Sequence, residues 1–84
     1  MNLHNLKIYK EVSTSEMLSK LNEEVFEVKV ELYRNRISKD HLAEELLDVI
    51  QTCLGIAYTQ NIDLNNYIST HYSKLLSRGH KFID

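Results

Sequence analysis

The chain reads as an all-α protein, a small antiparallel helical bundle of about three main helices completed by dimerisation. Three observations predict this. The 84 residues contain no proline and two glycines, a poor supply of turn formers for a β-protein. Apolar residues recur at helical spacing in three stretches. Each stretch follows a residue suited to capping a helix, namely Ser13, Ser38 and Asp63. We read residues 1–84 as one domain whose first twelve residues form an N-terminal segment of unassigned structure. Leu3, Leu6 and Lys7 permit a short helix there.

The first helix is expected over about residues 14–35. Ser13 and Glu16 form a capping-box pattern, with Val12 and Met17 at the two hydrophobic-staple positions. Met17, Leu21, Val25, Val28 and Leu32 then mark one apolar face, which ends in the polar turn "RNRIS". Ser38 caps the second helix, with Ile37 and Leu42 at staple positions. Ten of the sixteen residues in 42–57 are apolar, more than one face needs. Burial on several sides is therefore expected, part of it against a second subunit. Cys53, inside that run, is expected as a buried, unreactive thiol.

Asp63 caps the third helix, with Ile62 and Tyr67 at staple positions, and Leu64, Tyr67, Ile68, Tyr72, Leu75 and Leu76 give its apolar face. Gly79 suits the residue just past its end. Short connections make neighbouring helices antiparallel. The aromatics Phe26, Tyr33, Tyr58 and Tyr67 are expected in the core rather than stacked on a base.

Composition removes several function classes. A net charge of -2 argues against a strongly basic nucleic-acid binder; only Lys74, Arg78 and Lys81 begin a basic face. One cysteine excludes an internal disulfide and a multi-cysteine zinc site. No stretch approaches the roughly 18–20 apolar residues of a membrane span, and "MNLHNLKIYK" lacks a signal-peptide apolar run. A cytoplasmic setting without a membrane partner is expected. So small a domain is commonly stabilised by oligomerisation or by metal.

Two acidic hexads, "EEVFEV" at 23–28 and "EELLDV" at 44–49, carry the chemical signal. On a helical wheel with Glu24 at its origin, Glu27 falls at about 300°, Val28 at about 40° and Leu21 at about 60°. With Glu45 at the origin instead, Asp48, Val49 and Leu42 take the same three angles. Each helix thus sets a pair of carboxylates side by side at the border of its apolar face. Antiparallel packing through those faces brings four carboxylates together. Such a group needs a cation, protonation or full hydration, because like charges repel more strongly as water leaves. An all-carboxylate cage suits Mg²⁺, Mn²⁺ or Ca²⁺ over softer metals. Glu23 and Glu44, at about 260° on the same wheels, point further outward. Lys20 and Lys29 offer surface neutralisation as the competing explanation.

The paired pattern "EEVFE" at 23–27 and "ELLD" at 45–48 resembles the signature of the MazG-like, all-α nucleoside triphosphate pyrophosphohydrolases, over about residues 15–82. The resemblance implies Mg²⁺ held by Glu24, Glu27, Glu45 and Asp48, with Mn²⁺ a possible substitute. It further implies cleavage of a nucleotide between its α- and β-phosphates, giving a monophosphate and pyrophosphate. Family members are commonly dimers or tetramers. Glu23, Glu24 and Glu27 are the candidates for general base. Lys74 and Arg78, four residues apart in "HYSKLLSRG" and on one face with His71, are candidate phosphate ligands, although basic residues in a last turn also complement the helix dipole. Tyr72 stands where the family pattern places an asparagine. His4, His41 and His80 lack metal-ligand spacing and are expected at the surface. Two other readings are a non-catalytic helical interaction module with a solvated acidic face, and a nucleic-acid binder.

Overall fold

A computed structural model describes residues 12–83. The N-terminal helix permitted by Leu3, Leu6 and Lys7, and His4 with it, lie outside those residues. The described chain is helical without strands: α1 spans Thr14–Leu32, α2 Lys39–Thr59, a 3-10 helix Leu64–Tyr67 and α3 Ile68–Ser77.

The caps act as their chemistry predicts. Ser13 Oγ accepts from the Glu16 backbone N–H at 3.1 Å and donates to Glu16 Oε1 at 3.1 Å. Ser38 Oγ accepts from the His41 N–H at 3.3 Å. Asp63 also caps, accepting from Asn65 N–H at 3.0 Å, but it starts the 3-10 helix, with α3 following at Ile68. The third helix is therefore split where one continuous helix was expected, and the first stops at Leu32, short of residue 35.

Both later helices close with a left-handed residue. Gly79 has φ +87°, with bonds from Gly79 N–H to Leu76 O at 3.1 Å and from His80 N–H to Leu75 O at 3.0 Å. Asn61, at φ 56°, repeats this arrangement through Asn61 N–H to Tyr58 O at 3.1 Å and Ile62 N–H to Ala57 O at 2.8 Å. These are the paired bonds of a Schellman closure, which glycine or asparagine accommodates.

The main packing is α1 on α2. The start of α1 meets the end of α2, where Thr59 Oγ1 lies 3.6 Å from Met17 Sδ. Further along α1, Glu24 meets Asp48 and Glu45, in the first half of α2. The 3-10 helix supports α3, which makes little contact with the α1–α2 pair. The radius of gyration, 14.8 Å, exceeds the roughly 12 Å of a compact domain of this length.

Met17 and Ala57 are the only buried apolar residues among those described. Leu46, Leu47, Phe26, Tyr33, Tyr58, Tyr67 and Leu76 are exposed, so the aromatics expected in a core lie at the surface. Cys53 is exposed too. It lies on a side of α2 that no other described element covers, which overturns the expectation of a buried thiol. No described helix is long and apolar enough to cross a membrane.

Candidate metal centre

Glu24, Glu45 and Asp48 come together because α1 and α2 pack through the faces that these acids border. One carboxylate oxygen from each lies within 4.8 Å of the others. Their exposure is graded: Glu24 is buried, Glu45 half-buried and Asp48 exposed. The set is thus rooted on α1 and opens toward solvent on α2.

The remaining predicted acids are less closely engaged. Glu27 is half-buried and stands outside the three-carboxylate set, though its charge acts on Glu45. Glu23 is exposed, as its outward wheel position predicts. Lys74 on α3 and Arg78 just past its end are exposed, and neither is ion-paired to the cluster. His41, His71 and His80 are exposed.

Crowding of like charge leaves its mark on the two α2 acids. Partial loss of water, then the Asp48 charge, then Glu27, Glu24 and Glu31, hold the Glu45 carboxyl above the ordinary carboxylate range. Asp48 is raised by loss of water, then by the Glu24 charge and a hydrogen bond shared with Glu24, while Lys20 partly offsets these. The charge-bearing forms are disfavoured at both positions.

Lys20 is the cation in contact with the set. Its Nζ lies 2.6 Å from Glu24 Oε1, one helical turn away on α1. The hydrogen bond to Glu24 holds the Lys20 ammonium above its ordinary range, against some loss of water, and the charges of Glu24, Glu23 and Asp48 add to it.

A fifth acid escaped the reading of the hexads. Glu31 is buried, at 6% exposure, and contributes to the field on Glu45. Arg34 Nε stands 3.1 Å from its Oε2, yet that buried oxygen accepts no hydrogen bond, so the contact is one of charge alone. The signal was available: seven residues beyond Glu24, Glu31 falls at about 340° on the same wheel, closer to Glu24 than Glu27 does. It lies outside the repeated hexad, and the repeat drew attention elsewhere.

The donor set suits a hard divalent cation. It consists of carboxylates alone, drawn from two helices, with no imidazole or thiol among them. Glu24, Glu45 and Asp48 would hold such an ion, leaving Glu27 beside it. No known family model, curated protein or solved structure matches the chain.

Proposed function

We propose that this protein is a Mg²⁺-dependent nucleotide pyrophosphohydrolase of the MazG-like kind. It cleaves a nucleoside triphosphate between the α- and β-phosphates to give a monophosphate and pyrophosphate. The observation that carries the reading is the convergence of Glu24, Glu45 and Asp48 within 4.8 Å, from two segments that repeat one acidic pattern.

In this reading α1 and α2 form an antiparallel pair. The meetings of Met17 with Thr59 and of Glu24 with Asp48 and Glu45 support that direction. A second copy of the chain covers the exposed apolar residues of α2 and α3. Two buried apolar residues among those described are far too few to offset their chain entropy of folding.

A divalent ion held by these carboxylates supplies charge neutralisation for the triphosphate and polarisation of its α-phosphoryl group. Glu27 is the general base of choice among the three candidates. It borders the set without belonging to it, whereas Glu24 is ion-paired with Lys20 and Glu23 faces solvent. Lys74 and Arg78 gain no support as phosphate ligands, because α3 is not packed on the α1–α2 pair.

The test is product analysis. The purified protein is incubated with Mg²⁺ and a panel of NTPs and dNTPs, beside Asp48→Asn. Monophosphate and pyrophosphate from the wild type alone are expected. Silence across the panel together with no divalent-metal binding would sink the enzyme reading.

A specific observation favours one rival. The Lys20–Glu24 pair already neutralises the most buried carboxylate, as a non-catalytic interaction module with a solvated acidic face requires. Under that reading Mn²⁺ leaves the melting temperature unchanged; under ours it raises it.

A further inference from the structure

The contact between Lys20 and Glu24 raises a question of geometry. An ion such as Mg²⁺ bound by Glu24 sits about 2.0–2.1 Å from a carboxylate oxygen, and the Lys20 ammonium already stands 2.6 Å from Glu24 Oε1. The ammonium and an ion held by Glu24 are therefore drawn to the same carboxylate and repel each other there. The exposures of the partners differ sharply: the Glu24 side chain is 6% exposed and that of Lys20 is 56% exposed. The carboxylate is fixed in the helix interface, while the lysine reaches it from solvent on a flexible four-carbon stem.

We propose that Lys20 is an exchangeable counter-ion: a divalent metal displaces its ammonium from Glu24, and the freed ammonium takes a phosphate oxygen of the bound substrate. This rests on the metal-dependent reading above and goes beyond it, giving that site a cation that no part of the paired acidic motif contains. Before metal arrives, Lys20 keeps a buried carboxylate from standing uncompensated, a costly state. After exchange it remains beside the cluster with its three donors free, where the phosphates of a metal-bound triphosphate come to lie. Of the other cations, Arg34 is engaged with Glu31, and Lys74 and Arg78 belong to α3 and its cap, away from the main helix pair.

The ammonium faces the same acids that a metal would use. Glu24 and Asp48 both act on it, with Glu23 adding to the field. Exchange therefore replaces one positive charge by two in the same field, and a metal whose affinity is set partly by the lysine it evicts follows.

Two measurements test this on the whole chain, at pH 8. The first is Mn²⁺ titration without nucleotide, followed by calorimetry or by the spin-resonance signal of free Mn²⁺. Lys20→Gln keeps a donor for Glu24 but removes the competing charge, and is expected to bind Mn²⁺ roughly fivefold more tightly. Lys20→Arg keeps the charge on forked donors and is expected to bind Mn²⁺ no better than the wild type. The second is the affinity of the Mn²⁺-loaded protein for inorganic triphosphate, expected to fall about tenfold in Lys20→Gln, the loss of one charge-assisted contact.

Mn²⁺ binding that is unchanged or weaker in Lys20→Gln overturns the exchange and leaves Lys20 a structural counter-ion. Tighter Mn²⁺ binding with unchanged triphosphate affinity overturns the handover. If the wild type binds no Mn²⁺, the exchange falls together with the metal-dependent reading; in the two preceding outcomes that reading survives.

Discussion

The α1–α2 pair and α3 are all amphipathic helices, though only α1 and α2 start on a side-chain cap, and they are used differently. Between α1 and α2 the polar groups are placed most closely: three carboxylates meet within 4.8 Å, flanked by Lys20 on Glu24 and Arg34 on Glu31. Apolar burial there is thin. In α3 no side chain is buried. Its polar residues are exposed, while Tyr72, Leu75 and Leu76 face its C-terminal continuation. Tyr72 and Phe82 pack edge-to-face with ring centres 5.5 Å apart, lining a shallow apolar pocket with Leu75, Leu76 and Ile83. One region has its carboxylates gathered and its hydrophobic surface left over. The other has hydrophobic surface and no chemistry of its own. Both leave apolar surface uncovered, the surface that the proposed dimer would bury.

The largest expected effect falls on the first region. Asp48→Asn or Glu45→Gln removes a charge from the set and is expected to lower pyrophosphate release on the order of a thousandfold, through lost electrostatic stabilisation of the metal-bound phosphates. The fold should tolerate the change, since both residues carry charge that is disfavoured in the folded state. Activity and the circular dichroism of the same preparation check this together. A large loss of helix would show that the acids are structural and would dissolve the contrast between the two regions.

The next effect falls on the surplus apolar surface. Leu47→Glu on α2 and Leu76→Glu on α3 place a charge where a partner is proposed. Each is expected to convert the proposed dimer to monomer in sedimentation at micromolar concentration, with a loss of about 2 kcal/mol or more per site. Disruption by the α2 change alone would assign the interface to the main helix pair and leave α3 as an appendage.

Much of this architecture was legible because it depends on short-range chemistry. The three caps follow from a side chain and an N–H two or three residues away, so Ser13, Ser38 and Asp63 were readable in the sequence. The convergence of Glu24 with Glu45 and Asp48 was readable because it needs only helical phase and the assumption that two apolar arcs face each other. What was not legible depends on how much surface exists to go round. Cys53 lies in an apolar run and was expected inside, but a lone α1 covers only one side of α2. The split at Tyr67 between the 3-10 helix and α3 was also hidden, since residues 64–77 keep a helical apolar pattern throughout. The closure at Asn61 was legible only weakly, because asparagine takes the left-handed position less often than glycine does.

A subtler difference is expected in pH dependence. Glu45 and Asp48 have carboxyls raised in the folded state, so the folded protein takes up protons before the unfolded chain does. Stability without metal should therefore rise as pH falls from neutrality through the raised values, the gain being complete near the ordinary carboxylate value of about 4. Lys20 works at the other end. Its raised value contributes stability that is fully present below its ordinary 10.5 and lost as pH rises through the folded value. With Mn²⁺ bound the acid-side trend should reverse, because protons compete with the ion for the same oxygens. Melting curves at pH 5 and 7.5, with and without Mn²⁺, check both signs. In Glu45→Gln the acid-side gain should shrink, and α3 variants should leave it unchanged.

The smallest effect separates the two regions most cleanly. Asn61 closes α2 and Gly79 closes α3 with the same pair of backbone bonds, and both hold a left-handed φ. Alanine at either position costs about 1 kcal/mol of backbone strain. At Gly79 that strain is the whole cost, because an added Cβ would meet nothing within 4 Å. Asn61→Ala strains the closure of α2 and should lower the melting temperature at every protein concentration. Gly79→Ala strains a helix that its own chain barely holds, so its cost should appear only where a dimer couples α3 to the rest. A shift of several degrees at high concentration that vanishes on dilution is expected for Gly79→Ala. An equal shift for both variants in the dilute monomer would mean that α3 already folds as one unit with α1 and α2, and its apolar face would then need no partner to explain it.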